Sequence, residues 1–303
     1  MFLLHIFTRV ILPVFVVITL GYVYARVQKV DVRPFARIVW NLTGPCLAFA
    51  SLATTTIPDD DFARIFIFVI ITTLALWPLT IAAARWLHLD RPTTSSFQLS
   101  VLFGNIVNYG FPMLLFAFGQ SGVDRGVVFM TGNQLLLATL AVFIASRGTQ
   151  SWRQSLSSMG RVPLLYGSLL GFAVNRLGIV IPAPIFDPIK LVGEANLMFM
   201  LLILGMQLAQ VQLTDGRKAI AVAVALRLVV SVAVGTVVAA LLGMQGLTRQ
   251  TSIAEAGTPT AVYSTVIATE YNVAPGFAAA TIFLSTLLSM ITLTVVLALL
   301  GVR

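Results

Sequence analysis

The 303-residue sequence is 58% hydrophobic and only 10% charged, with 19 Lys and Arg against 11 Asp and Glu for a formal net charge of +8. Soluble domains carry about 25% charged residues, so this composition excludes a soluble globular fold and points to a polytopic helical membrane protein whose long apolar runs reach the ~20 residues that cross a bilayer. The positive balance would suggest nucleic acid in a soluble domain; here it is absorbed by loops on one side of the lipid bilayer, and no nucleic-acid partner is expected.

Reading the apolar runs against proline, glycine and charge clusters predicts ten transmembrane spans: Ile6 to Ala25, Phe35 to Ala53, Ala63 to Leu87, Ser95 to Phe118, Gly126 to Ala145, Pro163 to Leu177, Ile185 to Ala209, Ala219 to Met244, Leu247 to Tyr271 and Gly276 to Leu300. The first run lacks a basic leading segment and a small-x-small cleavage site, so it reads as a retained span. Cys46 is the lone cysteine, which excludes disulfide frameworks and cysteine zinc sites, and His5 and His88 have no partner at metal-ligand spacing. No cofactor is expected. The absence of any Gly-Lys dipeptide removes the Walker phosphate loop, so transport energy would come from gradients.

Loops on one side hold Arg26, Lys29, Arg33, Arg85, Arg91, Arg147, Arg153, Arg161, Arg217 and Lys218, whereas the other side carries scattered basic residues and the acidic run Asp59-Asp60-Asp61. Lys and Arg set topology, so the first group is expected in the cytoplasm and both termini outside, in a multi-pass protein of the cytoplasmic (inner) membrane.

The halves resemble each other. Pro13 and Gly21 in span one are spaced like Pro163 and Gly171 in span six, and Asn105-Ile106-Val107-Asn108-Tyr109-Gly110-Phe111-Pro112 in span four aligns without a gap on Ser252-Ile253-Ala254-Glu255-Ala256-Gly257-Thr258-Pro259 in span nine. Five spans per half is odd, so the second copy enters the membrane from the opposite side. The predicted organisation is a first five-helix repeat over 1–146, a cytoplasmic linker over 147–162 and a second, inverted repeat over 163–303.

Gly-x-Pro in mid-span interrupts helical hydrogen bonding. Unpaired backbone in hydrocarbon persists only where protein or a watery cavity satisfies it. The interruptions at Gly110-x-Pro112 and Gly257-Thr258-Pro259 are therefore expected to expose two half-helix N-termini, whose free N–H groups and partial positive charge attract an anion. The competing reading is a pair of proline kinks packed against neighbours. Asn105, Asn108, Ser252 and Glu255 lie near the interruptions, and Thr131, Asn133 and Gln134 add polar groups from span five. The predicted substrate-binding set is Asn105, Asn108, Gly110, Pro112, Asn133, Gln134, Gly257, Thr258 and Pro259.

Two charges stand deep in the lipid layer, Glu255 beside the second interruption and Arg227 roughly 15 Å inside span eight. Either they neutralise each other as a structural pair, or Glu255 is a proton or sodium site and Arg227 a counter-charge for substrate or for Glu255.

At these residues the chain resembles prokaryotic members of the auxin efflux carrier family, which is related to the bile acid sodium symporters. The resemblance spans essentially the whole chain, through Leu12-Pro13 to Gly21, Asn108-x-Gly110-x-Pro112, Leu204-Gly205-Met206-Gln207-Leu208 and the Pro259 interruption. It implies ten helices, a scaffold of spans one, two, six and seven, and a transport domain whose broken helices four and nine cross. It further implies elevator-like alternating access, homodimers formed through the scaffold, and carboxylate or other organic-anion substrates. Pro259 stands where the bile acid symporters tend to carry glutamine, which bears on sodium coupling, and the long hydrophilic central loop of the plant carriers is missing.

The expected function is thus secondary transport of a small organic anion. Alternatives are ion-coupled symport of a neutral or zwitterionic solute, a channel, or a membrane-embedded receptor. A membrane enzyme would need a catalytic constellation, and neither paired aspartates, a His-Glu metal motif nor a Gly-x-Ser-x-Gly elbow is found.

Overall fold

The structure, a computed structural model, describes residues 2–146, 163–211 and 216–302. The predicted linker 147–162, with Arg147, Arg153 and Arg161, lies outside the described residues. In chain order the helices are α1 (Leu3–Gln28), α2 (33–53), α3 (Asp59–Trp86), α4 (Arg91–Leu102), α5 (Ile106–Phe118), α6 (Gln120–Ala145), α7 (Pro163–Arg176), α8 (Ala183–Leu208), α9 (Arg217–Leu241), α10 (Gly246–Ala256), α11 (Tyr263–Glu270) and α12 (Pro275–Leu299). Six of them, α1, α3, α6, α8, α9 and α12, are long and apolar enough to cross a membrane. Among the described residues the one strand-like feature is an isolated antiparallel bridge between Gly104 and Thr260.

Local chemistry sets the helix ends. Asp59, Asp60 and Asp61 occupy the first turn of α3 and Arg85 its last, matching the helix dipole at both ends. The Asp90 side chain accepts from the Thr93 amide at 3.2 Å and starts α4. Between α5 and α6 the chain reverses through Gly119 at φ +67°, a backbone that L side chains rarely adopt.

Helices in lipid gain little from burying apolar surface against each other, so close backbone approach through small residues carries much of the packing. Helix α1 packs along α8, where a Cβ on Gly21 would overlap the Leu202 carbonyl and one on Gly205 the Ile18 carbonyl. Helix α2 packs along α7, whose Gly167-x-x-x-Gly171 face meets the backbone of Pro45 and Phe49. Helix α8 also rests on α2 through Gly193 against Leu47, so α1, α2, α7 and α8 form one group. The remaining helices form a second, with α3 against α6 and α9, α5 against α6, α10 against α9 and α4 against α12.

Span four departs from expectation. The sequence places its interruption at Gly110-x-Pro112, yet the helix ends one residue before Phe103 (φ −111°, ψ 114°) and resumes at Ile106. Gly110 is helical (φ −64°, ψ −50°) and Pro112 sits in the first turn of the α-helical stretch Phe111–Phe118. The preceding turn, Ile106–Gly110, is a widened π-type turn that loosens the ladder where a proline ring and its missing N–H would otherwise clash. In span nine α10 stops at Ala256, and Pro259 lies in the non-helical stretch before α11.

Substituting Gly205 by Val is expected to force α1 and α8 apart, an overpacking cost of about 1–3 kcal/mol or more. Size-exclusion profiles and melting of the purified protein should show it, whereas Leu169→Val on an exposed face (Leu169 is 63% exposed) should melt with the parent.

Candidate functional site

The two interrupted helices meet backbone to backbone. The Asn105 amide donates to the Pro259 carbonyl at 2.7 Å and the Ala261 amide to the Phe103 carbonyl at 2.9 Å, framing the Gly104–Thr260 bridge. Four half-helix ends converge here, and each leaves backbone groups without intrahelical partners.

The two C-terminal ends, those of α4 and α10, are saturated by side chains. On α4, the Leu99 carbonyl accepts from Ser264 Oγ at 3.1 Å, Ser100 from Thr260 Oγ1 at 2.8 Å, and Val101 from an Arg227 Nη at 3.1 Å. On α10, Arg227 reaches the Ala256 carbonyl at 2.7 Å and the Thr258 carbonyl at 2.8 Å, Ser231 Oγ donates to Ala256 at 2.7 Å, and Thr258 Oγ1 donates to the Glu255 carbonyl at 2.7 Å. One buried guanidinium from α9 therefore holds the negative ends of both broken helices.

The N-terminal ends of α5 and α11 behave oppositely. Both line one cavity of about 540 Å³, which runs from the crossover (Gly104 to Asn108 and Ala261 to Tyr263) to the end of the bundle where α6 finishes, α7 begins and α11 finishes. Asn105 Oδ1 caps the Asn108 amide at 3.2 Å, while the Ile106 and Val107 amides precede any intrahelical acceptor. Asn133 and Gln134 from α6, Asn41 from α2 and Gln207 from α8 complete a polar wall. Asn105 Nδ2 and Gln207 Oε1 are buried without a hydrogen-bond partner among the described residues.

A smaller chamber of about 20 Å³ lies on the other side of Gly104, Ile106 and Asn133, lined also by Thr72, Thr73, Arg227, Ser231 and Glu255. That is room for one water or a small cation. Both Glu255 carboxylate oxygens are buried without a hydrogen-bond partner among the described residues and press on Gly110, where any Cβ would collide with them.

Of the sequence-predicted residues, Asn105, Asn108, Asn133 and Gln134 come together on the large cavity; Arg227, Glu255 and again Asn133 line the small one. Gly110, Gly257, Thr258 and Pro259 build the crossover around them, and Pro112 is buried within α5. Among the described residues Arg227 and Glu255 make no direct salt bridge: the guanidinium hydrogen-bonds three carbonyls, while both side chains line the same small chamber. Sequence reasoning missed Asn41, Gln207, and the ring pair Trp40–Tyr263 (centroids 6.1 Å apart), all on the cavity wall. Asn41 and Gln207 are amides inside apolar runs, the same signal that singled out Asn133.

A helical membrane protein whose interrupted helices cross beside an amide-lined cavity has the form of a transporter. The Membrane transport protein family matches residues 6–159 and 150–297, nearly the whole chain, and the protein belongs to it, the auxin efflux carrier family of the sequence resemblance. It is a multi-pass membrane transporter and not an enzyme. The chain is 25% identical to an uncharacterized transporter of Methanothermobacter thermautotrophicus over 94% of its length and 96% of the relative's, and 22% identical to one of Methanocaldococcus jannaschii over the same shares. It is 26% identical, over 95% of its length and 93% of the relative's, to a Rhizobium meliloti protein that carries the provisional name of malonate transporter.

Arg227→Lys keeps the charge but cannot span three carbonyls. With buried carbonyls left short of donors at about 1–3 kcal/mol each, it is expected to melt clearly below both the parent and Asn108→Ala; coincident melting curves would remove the clamp role.

Proposed function

We propose that this transporter carries a small organic anion of carboxylate type across the cytoplasmic membrane by elevator-like alternating access. The observation that carries the reading is the sorting of half-helix ends: α4 and α10 have their carbonyls taken up by Arg227 and hydroxyls, while the amide ends of α5 and α11 share the 540 Å³ cavity. Fixed amide dipoles and carboxamides can take up a carboxylate without a resident cation. The relative with a provisional malonate assignment is consistent with that chemistry.

In this reading α4 with α5, and α10 with α11, each make one broken crossing, and α2 and α7 cross as well, giving ten spans in two inverted halves. The exchange of partners, α1 with α8 and α2 with α7, is what a twofold repeat would produce if spans one and six, and two and seven, are equivalent. The first group of helices then acts as scaffold, paired in a homodimer, and the second as the moving domain. Arg26, Lys29, Arg33, Arg85, Arg91, Arg217 and Lys218 stand at helix termini on the end of the bundle where α6 finishes and α7 begins, which supports a cytoplasmic cavity end with both termini outside. Glu255, without a hydrogen-bond partner among the described residues and beside a chamber sized for a small cation, serves as the proton or sodium site that couples the gradient. Glu270 on the wall of the large cavity favours a second reading, a zwitterionic solute whose ammonium it would face.

Flux into proteoliposomes tests these assignments, with malonate, monocarboxylates and amino acids offered with and without sodium and pH gradients. Saturable carboxylate uptake is expected, falling about tenfold or more in Asn105→Ala and Asn133→Ala through loss of hydrogen bonds to a charged group worth about 1.5–3 kcal/mol. Amino-acid flux alone would favour the zwitterion, and unsaturable conductance a channel. Glu255→Gln should erase the dependence on the driving ion while leaving folded protein; an unchanged gradient dependence removes Glu255 from coupling.

A further inference from the structure

The end of the molecule opposite the cavity mouth is closed by polar contacts between the two helix groups. Ser51, in the last turn of α2 and only 3% exposed, donates to Asp124 Oδ1 at 2.6 Å, and Gln120 Nε2 donates to the same oxygen at 3.0 Å. Close by, Arg176 at the end of α7 pairs with Asp59 at the start of α3, and the Phe172 and Phe62 rings lie 5.0 Å apart. The Ser51–Asp124, Arg176–Asp59 and Phe172–Phe62 contacts join the α1, α2, α7, α8 group to the other one, while Gln120 supports Asp124 from within α6. Within the second group, Arg125 Nε donates to Thr248 Oγ1 at 2.9 Å, which donates to Asp61 Oδ2 at 2.7 Å, so α3, α6 and α10 present this face as one piece.

The same helices are parted at their other ends. Ala36, Trp40 and Asn41 of α2 and Leu137 and Val142 of α6 line the cavity. Ser51 stands about 15 Å along α2 from Asn41, at ~1.5 Å per residue. Helices α2 and α6 touch at one end and flank the cavity at the other, where the two groups meet through the Trp40–Tyr263 rings, an arrangement with a natural pivot between them.

We propose that the Ser51–Asp124 bond, assisted by the Asp59–Arg176 pair and the Phe62–Phe172 contact, is a latch that holds the transporter open at its cavity end, and that its release exposes the opposite end. The inference rests on the alternating-access reading above. Most of the holding falls to Ser51 and Asp124, because the Asp59–Arg176 pair is largely exposed and such pairs contribute little. A carboxylate that receives a buried hydroxyl donor, as Asp124 does from Ser51, is held more firmly than a neutral acceptor would be.

The test uses the full-length chain with its single cysteine removed (Cys46→Ala). Leu52→Cys, at a side chain 1% exposed beside Ser51, reports the latch end, and Asn41→Cys reports the cavity. In purified protein a polar maleimide should label Asn41→Cys readily and Leu52→Cys hardly at all. Adding Ser51→Ala or Asp124→Ala should raise the Leu52→Cys rate about tenfold or more and lower the Asn41→Cys rate, while Ser51→Thr, which keeps the hydroxyl, leaves both near the parent. Should Asp124→Ala not fold, Arg176→Gln with Phe172→Leu loosens the same end and is expected to shift both rates in the same directions. Unchanged Leu52→Cys labelling in these variants overturns the latch, as does faster labelling at both reporters together, which would mean local unfolding. Labelling needs no substrate, so reporter exchange without carboxylate flux counts against the anion and leaves the latch intact.

Discussion

A broken helix inside a membrane must have its freed N–H and C=O groups satisfied by the protein, because hydrocarbon offers neither donor nor acceptor. Everything around the crossover follows from how this chain meets that demand. Proline and glycine free the backbone over 103–105 and 257–262, and the freed groups of one interruption are bonded in part by the other, through Asn105 to Pro259 and Ala261 to Phe103. Helix ends that would each be costly alone become a single junction.

Polarity at that junction is segregated. Ser264, Thr260, Thr258 and Ser231 cover carbonyls one by one, and Arg227 covers three, one at the end of α4, one at the end of α10 and one in the stretch that follows α10. A charged guanidinium buried in lipid would be very expensive by itself, but against three aligned carbonyls it faces the negative ends of two helix dipoles. Because it is used up there, the cavity on the other side sees amides rather than a mobile cation. The result is a cavity whose crossover end is polarised by backbone, with the charged Glu270 further along its wall.

The sequence made the polytopic helical class legible through composition alone, and it marked Asn105, Asn108, Asn133 and Gln134 because amides are costly in lipid unless they face protein or water. It misplaced the interruption in span four by about eight residues. Pro112 is the visible breaker, but the widened turn over 106–110 accommodates it, whereas the true departure at Phe103-Gly104-Asn105 has only one glycine to announce it. What decides the position is tertiary: Gly104 is where Thr258 and Arg227 come so near that no side chain fits. Arg227 was visible as a deep charge, yet its partners are backbone carbonyls, which carry no residue identity and so leave no trace in sequence. Asn41 was passed over, and Gln207 entered only through the family resemblance, because each is a lone amide in an apolar run whose place on the cavity depends on how the helices pack.

The proposed coupling acquires a physical route from the wall between the two chambers. Gly104, Ile106 and Asn133 line both, so the backbone that would face a bound anion on one side faces Glu255's chamber on the other. Linkage requires only that occupation of one chamber change the free energy of the other. A cation beside Glu255 would neutralise a carboxylate that otherwise opposes negative charge a few residues away, in a chamber whose Gly104 wall the Arg227 guanidinium also touches. The glycine therefore answers two demands at once, close approach of the crossing strands and proximity of opposite charges, and the second would be lost with the first if the position were filled.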